Sequence, residues 1–251
     1  MTHLYPTHFA RFYDTMYHAL RDGIDNEFFL NAIRKVDGKI LEIGVGTGRF
    51  FVDALHAGAD IHGIDISESM LDILRNKLAK EQWFRISKQG ITNFNLDHQF
   101  DLIIAPFRVI MHVIDKADQI TALNNVHDHL KPAGRFIFDT FVPDLKKIMD
   151  DIDNVTDFEG EYAPGKMLRR RVSTKPDLIN QVINVEFDLE WEEELNKMHE
   201  SWSLPLRFFF RYELEHLIER SKFNSYEILG DYDGSRLSKN SKEFIVICNK
   251  D

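Results

Sequence analysis

The sequence has a single cysteine, few prolines, no long apolar run and a deficit of positive charge, and each shortage excludes something. One cysteine cannot close an internal disulfide, so stability must come from the core, and a reducing, cytoplasmic setting is the default expectation. Cys248 lies in the apolar run Phe244-Ile-Val-Ile-Cys248, which reads as a buried strand rather than a reactive thiol. No apolar run approaches the roughly 18 to 20 residues of a membrane helix. The opening Met1-Thr-His-Leu-Tyr-Pro-Thr-His8 has no basic segment leading into an apolar one, so no secretory signal is expected. With 31 basic against 41 acidic residues, the formal net charge is -10. That weighs against nucleic acid, whose binding rests on neutralising phosphates. The local run Arg169-Arg170-Arg171 is read as one edge of a solvated strand, the alternative being a site for an anionic substrate group. His127 and His129 lack the i, i+4 spacing of a two-histidine site, and no metal is expected. Nucleophile-elbow and phosphate-lysine motifs are missing as well.

What is present is a folded-protein composition, 43% hydrophobic and 29% charged, long enough for one large domain or a domain with an insertion. From Phe9 to Lys35 apolar residues recur at helical spacing, predicting two helices broken near Asp22-Gly23. Ile40, Leu41 and Ile43 predict a strand, and Phe50, Phe51, Ala54 and Leu55 a helix. Ile61–Asp65 is a second strand, followed by a helix that Ser67 can cap. Trp83–Ser87 is a weak third strand and Phe100–Ala105 a strong fourth. Ile120–Leu130 is read as a helix, Lys131–Gly134 as a turn and Arg135–Asp139 as a fifth strand. Strands alternating with helices give a parallel α/β sheet with ligands at the carboxyl ends of its strands. After about residue 142 the alternation stops, and Lys166–Glu194 shows the period-2 pattern of antiparallel strands. A last helix at Glu213–Ile218 and strands at Ser225–Leu229 and Phe244–Cys248 close the chain.

The most specific local signal is Ile40-Leu-Glu-Ile-Gly-Val-Gly-Thr-Gly-Arg49, a strand running through glycines into a helix. Glycines there permit positive φ and close backbone approach to a ligand. Gly44, Gly46 and Gly48 make G-x-G-x-G, unlike the G-x-G-x-x-G of dinucleotide sites. Asp65 ends the second strand, where a carboxylate can accept both hydrogen bonds of a ribose diol. Its plainer role, a helix cap, is already filled by Ser67.

These segments, with Phe100-Asp-Leu-Ile-Ile-Ala-Pro-Phe107 and Leu130-Lys-Pro-Ala-Gly-Arg-Phe136, resemble the class I S-adenosylmethionine (SAM) dependent methyltransferases, closely over residues 38 to 140. The resemblance implies a Rossmann-like α/β fold: a seven-stranded sheet with its last strand antiparallel, here with an inserted small antiparallel β-sheet. The expected organisation is an N-terminal helical cap over 1–37, a SAM-binding domain over 38–141 and 206–251, and a lid or substrate region over 142–205. By the same likeness Glu42, Gly44, Gly46, Gly48 and Asp65 hold the methionine and ribose parts of SAM. Ile66 and Met70 flank the adenine, joined by backbone contacts from Gly90 and Ile91. Many such enzymes carry an acid after strand three; Lys88-Gln89-Gly90-Ile91 has none.

Pro106 and Phe107 suit a wall around the sulfonium. Arg108 is a candidate for orienting an anionic substrate, and His112, with an ordinary pKa near neutrality, for a general base. A helix position bonded to backbone is the alternative for His112. Tyr13 and Tyr17, at i, i+4 on one helix face, resemble a helix that closes over SAM, Tyr13 toward the cofactor and Tyr17 toward the acceptor. Core packing explains them nearly as well. Met111, Arg207 and Phe209 are the remaining candidate substrate contacts. The expected acceptor is a small molecule attacked through N, O or C, with no nucleic acid or membrane partner and a monomer or homodimer. Methylation of tRNA or a protein side chain, or SAM binding without catalysis, are the alternatives.

Overall fold

A computed structural model of the chain describes residues 5–20, 23–150, 152–194 and 196–251. It divides into two compact units. One is α1 (Thr7–Leu20) with residues 144–207, and the other is residues 23–143 with 208–251.

The larger unit runs α2 (Ile24–Arg34), β1 (Lys39–Ile43), α3 (Phe51–His56), β2 (Asp60–Asp65), α4 (Glu68–Lys77), β3 (Ile86–Lys88), β4 (Phe100–Ala105), α5 (Lys116–His129) and β5 (Leu130–Phe141). The smaller unit follows with α6 (Leu145–Met149), β6 (Ile152–Ala163), β7 (Lys166–Asp177), β8 (Val182–Glu193) and β9 (Asn196–Arg207). The chain then returns to the larger unit with α7 (Arg211–Glu219), β10 (Ser225–Leu229) and β11 (Glu243–Asn249).

The larger unit is a seven-stranded sheet in the order β10-β11-β5-β4-β1-β2-β3. β1 to β5 pair in parallel, and β11 runs antiparallel to both its neighbours. The central strands are apolar on both faces, as a parallel sheet covered by helices requires. Ile40, Ile61, Leu102, Ile104, Ile137 and Ile245 meet Phe29, Phe51, Leu71 and Leu74 from the flanking segments in one core. Reversal of strand order beside β1 leaves a crevice at the carboxyl ends of β1 and β4, which is where the glycine segment and Pro106 fall.

Three local expectations shift. The strand expected over Trp83–Ser87 shrinks to Ile86–Lys88, because Lys80–Arg85 is a short 3-10 helix whose Trp83 Nε1 donates to the Arg75 carbonyl at 3.2 Å. α5 begins at Lys116 rather than Ile120, since Asp115 Oδ1 accepts from the amides of Ala117 and Asp118 at 2.7 and 3.2 Å. Those polar first residues carry no apolar periodicity. The turn at Lys131–Gly134 is absorbed as an irregular start of β5, with Ala133 at φ 62° and a register shift against β4.

In the smaller unit the antiparallel pattern extends beyond residues 166–194 to a four-stranded sheet, β6-β7-β8-β9. α1 lays its rings on one face: Phe9 is 4.5 Å from Trp202 and 6.3 Å from Phe187, and Phe12 is 5.5 Å from Trp191. The two N-terminal helices expected as one cap therefore separate, α1 with this sheet and α2 with the larger unit. Their apolar faces differ in what they meet: α1 covers aromatic rings of β8 and β9, whereas Phe29 and Ile33 of α2 enter the aliphatic core of the parallel sheet.

Candidate active site

The glycine loop is built by backbone conformation. Gly44, Gly46 and Gly48 have φ of 71°, 55° and 88°, values that L side chains adopt at a cost. The amides of Gly44 and Val45 donate to the Ile64 carbonyl at 2.8 and 3.0 Å, folding the loop onto the end of β2. A Cβ on Gly44 would stand 2.4 Å from Val109 Cγ2, and one on Gly48 2.4 Å from Leu74 Cδ1. A Cβ on Gly46 would meet nothing closer than 3.8 Å, so its face of the loop is open.

Asp65 ties this loop to the next helix. Its Oδ2 accepts from the Gly46 amide at 2.9 Å and its Oδ1 from the Ser67 amide at 2.8 Å. Burial raises the Asp65 carboxyl above its ordinary range, while the Ser67, Gly46 and Ile66 amides pull it back. Ser67 caps α4, accepting from the Met70 amide at 3.4 Å, as its position in the sequence implies. Glu42 is almost wholly buried, and its Oε2 has no hydrogen-bond partner. Burial pushes its pKa well up; the positive charge of Arg49 opposes this, and the negative charge of Asp65 reinforces it. A buried acceptor left empty beside an open glycine loop fits a ligand that brings its own donor.

On the adenine side Ile66 is exposed, and a Cβ on Gly90 would lie 3.3 Å from Ile66 Cγ2, while Ile91 and Met70 are buried. The Gln89 amide donates to the Asp65 carbonyl at 3.0 Å. The Gln89 side chain is spent locally, accepting from the Asn95 amide at 2.7 Å and donating to Ser87 Oγ at 3.0 Å.

The segment after β4 is strained. Phe107 and Arg108 take φ of 62° and 65° in succession, each costing on the order of 1 to 3 kcal/mol for a non-glycine residue. Several contacts hold it. The Arg108 amide donates to Asp139 Oδ1 at 3.3 Å, and Tyr232 Oη donates to Asp139 Oδ2 at 2.9 Å. The Arg108 guanidinium donates to Glu243 Oε1 at 2.7 Å. Arg49 lies over the Phe107 ring at 5.1 Å and pairs with the buried Asp25.

Arg108 pairs with Glu243 through one terminal nitrogen, while its buried Nε has no hydrogen-bond partner. One expectation is corrected here. His112 does not keep an ordinary pKa: the residue as a whole is exposed, yet the protein packed around its ring disfavours the charged form and lowers it to about 4. Pro106 and Met111 are buried, Met111 completely.

The remaining candidates fall in different units. Tyr13, Tyr17 and Arg207 belong to the smaller one, where the two tyrosine rings lie 4.4 Å apart. Arg170 donates to Tyr17 Oη at 3.3 Å, and Arg207 donates to the Asn180 carbonyl at 3.0 Å. Phe209 is in the larger unit and wholly buried. Sequence reasoning passed over Asp25, Arg49, Asp139, Tyr232 and Glu243. Asp139 carried a usable signal, an acid closing an apolar strand just as Asp65 does. Tyr232 and Glu243 carried none, being 93 and 135 residues from the groups they bond.

Residues 40–134 match the family model of the methyltransferase domain. The Bacillus subtilis (strain 168) protein YqeM, whose name places it among methyltransferases, is 25% identical over 248 residues, spanning 96% of each chain. The solved SAM-dependent methyltransferase of Clostridium acetobutylicum ATCC 824 superposes with a TM-score of 0.79 at 19% identity, over 97% of this chain and 98% of that one. The sugar N-methyltransferase KedS8 of Streptoalloteichus sp ATCC 53650 gives 0.76 at 18% identity, over 95% and 92%. The glycine loop, Asp65 and the unpartnered Glu42 oxygen fit S-adenosylmethionine; residues 40–134 carry a methyltransferase domain, and the fold is that of solved SAM-dependent methyltransferases.

Proposed function

We propose that this enzyme methylates a small-molecule acceptor through an N, O or C nucleophile by direct in-line displacement. The observation that carries the reading is the state of its arginines. Arg169 pairs with Glu159, Arg170 with Asp157, Arg171 with Glu190, Arg108 with Glu243 and Arg49 with Asp25. A nucleic acid needs unspent cations on a surface, and these five are each paired with a carboxylate. The likeness in fold to a sugar N-methyltransferase across both units supports a small acceptor, with amines the first class to screen.

SAM, when bound, supplies an electrophilic methyl group on a sulfonium. The chain's contribution is to bind and orient. Asp65 is the carboxylate for the ribose diol, Glu42 the buried acceptor for the amino group, and Ile66, Met70, Gly90 and Ile91 the adenine surround. Pro106 and Phe107 exclude water from the reacting carbon, and a dry, aligned site is the main source of acceleration in such a displacement. His112, neutral above about pH 4, can accept a hydrogen bond from an acceptor N–H or O–H. Its basicity is too low to make it a strong proton acceptor.

The test is incubation with methyl-labelled SAM and a cell extract split into metabolite, RNA and protein fractions. Label is expected in the metabolite fraction. Label confined to RNA or protein overturns the small-molecule reading.

A further inference from the structure

We propose that Asp139, steadied by Tyr232, is a positioning residue for the methyl-transfer site: it holds Pro106-Phe107-Arg108 in the shape that walls the reacting methyl group. The inference rests on the reading above that this segment borders the methyl.

Two successive non-glycine residues with positive φ do not hold that conformation by themselves. Something outside the segment must keep it, and the contacts show what. Asp139 lies near the end of β5, next to Phe138, which pairs with Ala105 at the end of β4 where the segment departs, and its side chain is wholly buried. A buried carboxylate is retained only when hydrogen bonds compensate its lost hydration. One oxygen of Asp139 accepts the Arg108 amide at 3.3 Å, inside the strained pair itself. The other accepts Tyr232 Oη at 2.9 Å, which fixes the rotation of the carboxylate plane. Tyr232 in turn is wedged by Phe28 and Phe29 of α2, with ring centroids at 6.0 and 6.3 Å. Glu243, at the start of β11, anchors the Arg108 guanidinium from the same side. The strained segment is thus clamped at its backbone by β5 and at its side chain by β11. The Arg49 guanidinium over Phe107 adds a third constraint.

The experiment measures the affinities of SAM and of S-adenosylhomocysteine by calorimetry on the full chain. The two differ only in the methyl and its charge, so their ratio reports the wall and is insensitive to a general loss of stability. Asp139→Ala removes the acceptor of the Arg108 amide and is expected to lower the SAM preference at least threefold. Asp139→Asn keeps an accepting oxygen and is expected to recover most of that preference. Tyr232→Phe frees the carboxylate to turn and should lower the preference about twofold, and it serves where Asp139→Ala does not fold. Phe107→Ala, in the wall itself, should also change the ratio. If Phe107→Ala changes it while Asp139→Ala and Tyr232→Phe leave it at the wild-type value, the role of Asp139 is refuted and the site stands. If Phe107→Ala leaves it unchanged, the segment does not border the methyl and both readings fall.

Discussion

Gly44→Ala tests the loop at its tightest point. Two costs add in the structure. Alanine at φ 71° loses about 1 to 2 kcal/mol to the left-handed conformation. Its Cβ would also stand 2.4 Å from Val109 Cγ2, with Val109 Cγ1 at 3.3 Å and Cβ at 3.5 Å. Valine is stiff at χ1, so either Val109 leaves its rotamer or the backbone gives, at about 1 to 3 kcal/mol for overpacking. The expected loss is about 3 kcal/mol, or roughly 6 to 12 °C in Tm for a chain of this size. Urea denaturation of the wild type, Gly44→Ala, Val109→Ala and the double variant separates the two parts. Removing both valine methyls should recover the overpacking share in the double variant and leave the left-handed share, giving a coupling of at least 1 kcal/mol. A Gly44→Ala midpoint equal to wild type, or strictly additive losses, refutes the account of the loop.

The other predictions concern binding, protons and the smaller unit. Asp65→Ala should weaken SAM by roughly 1.5 to 3 kcal/mol, the loss of a charged hydrogen bond, and calorimetry showing unchanged affinity removes Asp65 from the site. His62 is buried among Phe84, His98 and Phe100, and burial, aided by Arg85, lowers its pKa from 6.5 to about 4. The unfolded chain takes up that proton first, so this contribution to stability is complete above pH 6.5 and is lost as pH falls toward 4. His62→Gln should flatten the stability profile in that window; an unchanged slope would show the ring is not shielded. Arg170→Met leaves the Asp157 carboxylate without its two bonds at 3.0 and 2.7 Å. It should cost about 3 kcal/mol, read from the fluorescence of Trp191 and Trp202, with Asp157→Leu added on top restoring stability.

The parallel sheet was legible because its code is local. Ile40-Leu41 and Leu102–Ala105 are apolar at consecutive positions, as strands buried on both faces require. The glycine segment was legible because three positive φ values need three glycines. Legibility failed where the determinant was a distant partner. Arg108 looked free because nothing near it in sequence reveals Glu243, and His112 looked ordinary because the mass around it is tertiary. Likewise α1 and α2 share one periodicity, and nothing local says that Phe9 and Phe12 will meet Phe187, Trp191 and Trp202 while Phe29 meets Phe51. Period gives the buried face of a helix but not its mate.

The pairing of α1 with residues 144–207 has a consequence for how the protein is made. The helix leaves the ribosome well ahead of its partner sheet, which is complete only at Arg207, 187 residues after Leu20 ends α1. At about 5 to 20 residues per second, that interval is roughly 10 to 40 s. Through it Phe9, Phe12 and Met16 have no native surface to cover them, while the glycine loop and its sheet are already being synthesised. Nascent-chain stability, and any demand on a chaperone, is set by that waiting helix rather than by the catalytic core, and an expression design that splits off residues 144–207 must carry α1 along with them.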